Sequence, residues 1–280
     1  MTKKMKIIAG VIGDPISHSL SPRLHGYWID KYSINGEYNA YHVCPAELHV
    51  FIKSLRDNGI SGVNITLPHK EEALKLVDEI DEKAKKIGAV NTIYFDKNKI
   101  IGSNTDGIGF LAHLKQTSRI WRAENGPAVV IGAGGAARAV LVSLLEDGVP
   151  EIRLINRTKK RAERLANDIS DDRICIHDWD DRADALKNTA LLVNVTTLGM
   201  TGQRPLELSL ENLPVNACVY DIVYSPLETN LLKKARIRGN ETIDGLGMLL
   251  HQAVPGFSIW FGTDPEVDKG LKEYMLKALT

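Results

Sequence analysis

Apolar and polar residues alternate in blocks along the first hundred positions. Ile7 to Ile12 is a short continuous apolar run closed by Gly13-Asp14-Pro15, which reads as a buried strand ending in a turn. Ser21-Pro22 opens a helical stretch through about Tyr32, with Ser21 placed as N-cap and Pro22 at the first helical position. Tyr38 to Val43 is a second strand, and Pro45 to Asn58 a helix stopped by Gly59. Gly62 to Thr66 is a strand, and Pro68 opens a helix to about Ile80. Val90 to Phe95 and Lys99 to Ser103 read as a hairpin around Asp96 to Asn98. This alternation predicts βα units and an α/β architecture.

Asp106 to about Gln116 reads as a helix, and Thr117 to Gly126 as an irregular polar connection. A new unit follows. Ala128 to Ile131 is a strand, Gly132-Ala133-Gly134-Gly135-Ala136-Ala137 a glycine-rich turn, and Arg138 to Glu146 an apolar helix ended by Gly148. Strands are expected at Ile152 to Ile155, Ile174 to Ile176, Leu191 to Val195 and Val219 to Val223. Strand, glycine turn and helix in this order form a dinucleotide-binding fingerprint. Gly132 allows the tight turn, Gly134 lets backbone approach a pyrophosphate, and Ala137 permits close helix–strand packing. The segment after the second strand identifies the dinucleotide. An NAD site commonly places an acidic residue there for the ribose hydroxyls. This chain has Asn156-Arg157-Thr158-Lys159-Lys160-Arg161, in which four of six residues are basic and none is acidic. A cationic first turn opposes the helix dipole, so a ligand's 2′-phosphate is the natural counter-charge. NADP is the expected cofactor, with Arg157 and Arg161 on its phosphate and Lys159 and Lys160 facing solvent.

Composition adds exclusions. The 280 residues predict about two domains. Lys and Arg number 35, as do Asp and Glu, so the net charge is zero, which speaks against nucleic-acid and polybasic membrane partners. Cys44, Cys175 and Cys218 are dispersed and form no C-x-x-C, so neither a disulfide framework nor a metal site is expected, and the cytoplasm is the expected compartment. Lys3, Lys4 and Lys6 before the Ile7 run imitate a secretory signal, but the run is short and ends in a turn.

Several polar groups occupy unusual settings. Ser17 to Pro22 puts three hydroxyls before a helix, and Asn64 to Lys70 sets Thr66 at a strand end and Lys70 in a first helical turn. Taken singly these are caps, turn residues and solvated charges. Together they resemble the shikimate dehydrogenase family. The matching motifs are Ser19-x-Ser21-Pro22-x-x-His25, Asn64-x-Thr66-x-Pro68-x-Lys70, Gly88-Ala89-Val90-Asn91-Thr92 and Asn104-Thr105-Asp106-Gly107. Gly132-x-Gly134-Gly135-Ala136, Asn156-Arg157-Thr158, Asp221-Ile222-Val223-Tyr224 and Gly245-x-Gly247-Met248-Leu249-x-x-Gln252 follow in the family's order.

The resemblance implies reversible NADPH-dependent reduction of 3-dehydroshikimate to shikimate, in aromatic amino acid (chorismate) biosynthesis. It implies that Ser19 and Ser21, helped by Tyr224, bind the substrate carboxylate. Thr66, Asn91 and Gln252 then hold ring oxygens, and Lys70 and Asp106 form the catalytic pair. Lys70 is acid in reduction and base in oxidation, with the helix dipole and Asp106 acting on it in opposite directions. Gly245 and Met248 lie near the nicotinamide. His18, His25 and His69 serve packing or hydrogen bonding.

If Gln252 lines the substrate site, the carboxy-terminal helices return to the first domain. The expected architecture is therefore a discontinuous α/β substrate domain, 1–108 with 247–280, and a Rossmann-like doubly wound NADP-binding domain, 109–246. The site lies in a cleft between them that closes on binding. Gly26, Ser225 and the Pro255-Gly256 pair depart from common family forms, the last interrupting the helix after Gln252. Three alternatives stay open: a quinate/shikimate dehydrogenase, a non-catalytic NADP-binding regulator, and a reductase of amino-substituted shikimates. A monomer and a homodimer both fit the sequence.

Overall fold

The computed structural model describes residues 6–279. Lys3 and Lys4 of the signal-like start lie outside the described residues. The chain forms two compact α/β units, one running to Thr105 and resuming over Gln252–Ala278, the other spanning Asp106–His251.

In the first unit the elements are β1 (Ile7–Gly13), α1 (Ser21–Lys31), β2 (Gly36–His42), α2 (Leu48–Ser54), β3 (Ile60–Ile65), α3 (Lys70–Ala73), β4 (Glu79–Ile80), α4 (Glu82–Ile87), β5 (Thr92–Asp96) and β6 (Lys99–Ser103). The six strands make one mixed sheet in the order β2-β1-β3-β5-β6-β4. β1 runs parallel to β2 and β3, whereas β5 is antiparallel to both β3 and β6. The carboxyl ends of β1, β3 and β6 and the amino end of β5 therefore share one sheet edge. One face packs Ile12, Val63, Ile65 and Ile93 against Leu48, Ile52 and Leu55 of the α2 segment.

Three sequence expectations change here. Ser21 is the first helical residue rather than the N-cap; Leu20 holds that place with helical backbone and no side-chain cap. Ser19 does the local work instead, its Oγ accepting from the Ser21 N–H at 3.3 Å. The helix expected over 45–58 shortens to α2, with turns on both sides. The helix expected from Pro68 to Ile80 is the single turn α3. Pairing with β6 diverts its second half: Asp78 N–H donates to the Ile100 carbonyl and the Asp78 carboxylate accepts from Ile100 N–H, both at 2.8 Å. Tertiary bonding overrides the local helical pattern. α4 escaped sequence reading, although Asp81 caps it through Ala84 N–H at 2.7 Å and Gly88 ends it at φ +72°.

The second unit contains α5 (Asp106–Thr117), β7 (Ala128–Ile131), α6 (Gly135–Glu146), β8 (Ile152–Ile155), α7 (Lys159–Ile169), β9 (Ile174–His177), β10 (Leu191–Asn194), β11 (Cys218–Asp221), α8 (Asn230–Arg238) and β12 (Glu241–Ile243). Its sheet is wholly parallel, in the order β12-β11-β10-β7-β8-β9. That is the doubly wound Rossmann order read from the opposite edge. Both faces are covered, so these strands are continuous apolar runs rather than alternating ones. Ala128 and Val130 pack with α5, α6 and α7, while Val129 and Ile131 pack with α8.

The chain continues through α9 (Leu246–Phe261) and ends in α10 (Lys269–Leu276). Pro255 lies inside α9, so the expected interruption does not occur. Pro255 removes one helical hydrogen bond, and burial of Ala253, Phe257 and Trp260 around it offsets the loss. In the first unit these side chains join an aromatic cluster on α1 and β2. His25 stacks on Tyr38 with centroids 3.8 Å apart and planes 1° from parallel. Trp28, Phe257 and Trp260 surround it at 5.8, 5.8 and 6.0 Å.

His25 is fully buried and neither ring nitrogen has a hydrogen-bond partner. Burial pushes its pKa down to about 3 from an ordinary 6.5. Below pH 6.5 the unfolded imidazole takes a proton that the folded one refuses, so stability falls with pH. This group removes up to about 1.4 kcal/mol per pH unit in that window. Denaturant unfolding at about pH 7.5 and about pH 5.5 checks it, since His25→Phe loses this component. Equal pH dependence in both proteins would contradict the assignment.

Candidate functional site

Each unit gathers polar groups at the carboxyl ends of its parallel strands, where α/β sheets place ligands. In the first unit, Thr66 follows β3 directly. Its N–H donates to the Ile12 carbonyl at 3.0 Å, and its own carbonyl accepts from His69 N–H at 3.0 Å. The resulting turn delivers Lys70 as the first residue of α3, half-buried, with its carbonyl accepting from Val90 N–H at 2.8 Å. His69 is a positioning group, buried with its Nε2 2.7 Å from the Val43 carbonyl.

Asn91 precedes β5 and is 4% exposed. Its Oδ1 accepts from Thr92 Oγ1 at 2.8 Å and from Thr105 N–H at 2.9 Å, and its Nδ2 donates to Thr105 Oγ1 at 3.0 Å. Ser19 and Ser21 are half-buried at the start of α1, and Gln252 is half-buried on α9. Thr66, Lys70 and Asn91 thus meet at one sheet edge through backbone bonds, while Ser19 lies on the β1–α1 connection and Ser21 opens α1.

In the second unit Asp106 opens α5 and is 1% exposed. Gly132 follows β7 at φ +124°, a conformation other residues rarely adopt, and a Cβ there would lie 2.9 Å from Thr196 Cγ2. Gly134 is the N-cap of α6, and a Cβ on it would meet nothing within 4 Å. That open space at the N-terminus of α6 suits a pyrophosphate. Ala133 and Ala136 are half-buried, and Ala137 is fully buried, as close packing of helix on strand requires.

Asn156 follows β8 and turns the chain through Nδ2–H to the Thr158 carbonyl, 2.9 Å. Thr158 is the N-cap of α7, whose first turn holds Lys159, Lys160 and Arg161 and no acidic residue. Lys159 pairs with Asp178 at 2.7 Å rather than only facing solvent. Among the described residues, Arg157 and Arg161 are exposed and make no ion pair. Two unpaired guanidiniums at a cationic helix start fit a 2′-phosphate. The residues present therefore suit a phosphorylated dinucleotide.

Tyr224 is half-buried beyond β11, and burial raises its pKa, so the hydroxyl stays protonated and able to donate. Gly245 opens the approach to α9, its N–H donating to the Val223 carbonyl at 3.1 Å, and a Cβ there would fall 2.0 Å from the Ile222 oxygen. Met248 is buried among Phe110, Leu114 and Tyr220. Sequence reading quoted Asp221 only as part of a motif and gave no role to this group, which holds the loop. Asp221, fully buried, accepts from Asn194 Nδ2 at 3.0 Å, Val223 N–H at 3.1 Å and Thr229 Oγ1 at 2.7 Å. Burial pushes its carboxyl up to about 6 against the pull of those three donors. An acidic residue closing an apolar parallel strand was the available signal.

Among the described residues, no His, Cys, Asp or Glu cluster is arranged to hold a metal ion, and no helix is long and apolar enough to cross a membrane.

The chain matches family models for the shikimate dehydrogenase substrate binding domain over residues 11–93, shikimate/quinate 5-dehydrogenase over residues 111–200, and the shikimate 5′-dehydrogenase C-terminal domain over residues 245–279. The shikimate dehydrogenase (NADP(+)) of Paramagnetospirillum magneticum is 51% identical over 270 residues, covering 96% of this chain and 98% of the relative. A solved shikimate dehydrogenase in complex with NADP+ has a TM-score of 0.91 and 37% identity, covering 100% of this chain and 98% of that one. Shikimate 5-dehydrogenase from Thermus thermophilus, solved with NADP(H) and shikimate, has a TM-score of 0.86 and 35% identity, covering 98% and 100%.

Proposed function

This chain belongs to the shikimate dehydrogenase family, and from that membership we propose that it interconverts 3-dehydroshikimate and shikimate with NADP(H) as a step of aromatic amino acid biosynthesis. The observation that carries the reading is the convergence of Thr66, Lys70 and Asn91 at one sheet edge of the first unit. These are neutral hydrogen-bonding groups beside a single ammonium, the set that a polyhydroxylated ring with one reducible ketone requires.

Ser19 and Ser21 donate hydroxyl protons to the substrate carboxylate, with the Tyr224 phenol as a further donor. Thr66, Asn91 and Gln252 bind ring oxygens and leave unpaired polar atoms when an analogue lacks one. NADPH, when bound through Gly132 to Ala136, Asn156 to Thr158 and Arg161, with Gly245 and Met248 on the nicotinamide side, supplies the hydride to the ketone carbon. Lys70 Nζ gives its proton to the oxygen that becomes alkoxide and stabilises that charge as it forms. Asp106 orients the ammonium. In the oxidation direction Lys70 takes the same proton back. The three cysteines form no disulfide, which suits a reducing cytoplasm.

Oxidation of shikimate and of quinate, each with NADP and with NAD, tests the assignment by nicotinamide absorbance. Shikimate with NADP is expected to give the highest kcat/KM. Activity confined to quinate with NAD would replace the substrate and cofactor. No activity in any combination would leave a non-catalytic dinucleotide binder.

A further inference from the structure

We infer that Tyr38 is a positioning residue for the substrate, holding the Asn91 amide in its working orientation through Asn64 and Thr92. The inference rests on the reading of Asn91 as a ligand of the substrate ring.

Tyr38 lies on β2 beside Ala9 of β1, and Asn64 lies on β3 beside Val11. Residues in parallel register, and residues two apart on one strand, point to the same face, so all four side chains share it. The small Ala9 lets the phenol reach across β1. Tyr38 Oη donates to Asn64 Oδ1 at 2.6 Å. Asn64 Nδ2 then donates to the Asn91 carbonyl at 3.2 Å and to Thr92 Oγ1 at 3.1 Å. Thr92, having accepted, donates its own proton to Asn91 Oδ1 at 2.8 Å. The donors run one way, from phenol to Asn91.

The direction matters because an amide has two ends. The phenol proton fixes Oδ1 of Asn64 toward Tyr38. Without it, Asn64 Oδ1 is left a half-buried acceptor with no phenol donor. The Asn91 carbonyl only accepts and so keeps Nδ2 facing it, but the amide shifts to recover a donor for Oδ1, its bond to Thr92 Oγ1 loosens, and the Thr92 hydroxyl holds Asn91 Oδ1 less firmly. The phenol itself is held firmly. His25 stacks on its ring and Trp260 lies 6.0 Å away, anchored by Nε1–H to the Ile93 carbonyl at 3.0 Å. Burial raises the Tyr38 pKa well above the ordinary value, so the hydroxyl remains a donor. The unpartnered His25 is thus an aromatic plate for Tyr38, which explains why an imidazole with no hydrogen bond occupies this place.

Tyr38→Phe removes one oxygen and keeps the stacked ring. We expect kcat/KM for shikimate to fall about tenfold, carried mainly by KM, with the KM for NADP unchanged. A double-variant cycle with Asn91→Ala separates positioning from structure. If Tyr38 acts through Asn91, Tyr38→Phe adds less than about twofold in the Asn91→Ala background. Losses that multiply there, or a lowered Tm with normal shikimate kinetics, would overturn the inference. Normal shikimate kinetics in Asn91→Ala alone would instead overturn the reading of Asn91 on which it stands. Should Tyr38→Phe not fold, Thr92→Val removes the last donor of the same chain and is expected to give the same KM-weighted loss; an unchanged KM there overturns the inference as well.

Discussion

Lys70→Ala is expected to lower kcat in both directions by about 10³-fold while the KM for shikimate rises no more than about threefold. The asymmetry follows from the division of labour at the sheet edge. In the proposed mechanism binding is spread over Ser19, Ser21, Thr66, Asn91 and Gln252, each a hydrogen-bonding group that Lys70→Ala leaves in place, whereas the proton has one proposed donor. The backbone around it is fixed by other residues: the Lys70 carbonyl accepts from Val90, and the turn before it closes from His69 N–H to the Thr66 carbonyl. Removing the side chain should therefore not collapse the loop. Far-ultraviolet circular dichroism and Tm report that directly. A matching rise in KM with kcat preserved would make Lys70 a binding residue, and unchanged turnover would remove it from the chemistry.

The second large effect concerns cofactor choice. Replacing both Arg157 and Arg161 by Ala is expected to raise the KM for NADP by about 10²- to 10⁴-fold, because each charge-assisted bond to a phosphate contributes roughly 1.5–3 kcal/mol. Activity with NAD should change by less than about threefold, since NAD lacks the phosphate those groups would meet. The affinity for NADP should also fall with salt in the native protein and lose much of that dependence in the double variant. Parallel losses with both dinucleotides would mean that these arginines support the fold of the α7 start rather than the 2′-phosphate.

The nucleotide half was legible in the sequence for a clear reason. A parallel sheet covered on both faces needs unbroken apolar strands, and Ala128 to Ile131 and Ile152 to Ile155 stand out between polar connections. Gly132 was legible because its backbone angle demands glycine. The first unit hid more. Asp78 and Ile100 exchange two hydrogen bonds, which turn the end of an apparent helix into an edge strand, and no local pattern announces a partner 22 residues away. Pro255 misled in the other direction. A local rule reads it as a break, yet the surrounding apolar side chains keep α9 continuous. The candidate site divides the same way. Thr66, Lys70 and Asn91 could be singled out by residue type and motif. Tyr38 and Asp221 could not be assigned a role, because each acts through partners from distant strands: Asn64 for Tyr38, and Asn194 and Thr229 for Asp221.

The neutral chain with a local surplus of cations at Arg157 to Arg161 now has a chemical counterpart in the neutral hydroxyl and amide groups of the other unit. On the proposed function, the charges would meet a phosphate and the hydrogen-bonding groups a ring. The central claim joins the two in a single reduction. Its most direct test is the purified protein incubated with 3-dehydroshikimate and NADPH, with product identified by nuclear magnetic resonance and NADPH followed by absorbance. The account predicts one shikimate formed for each NADPH consumed. NADPH left unconsumed, or a product other than shikimate, would contradict it.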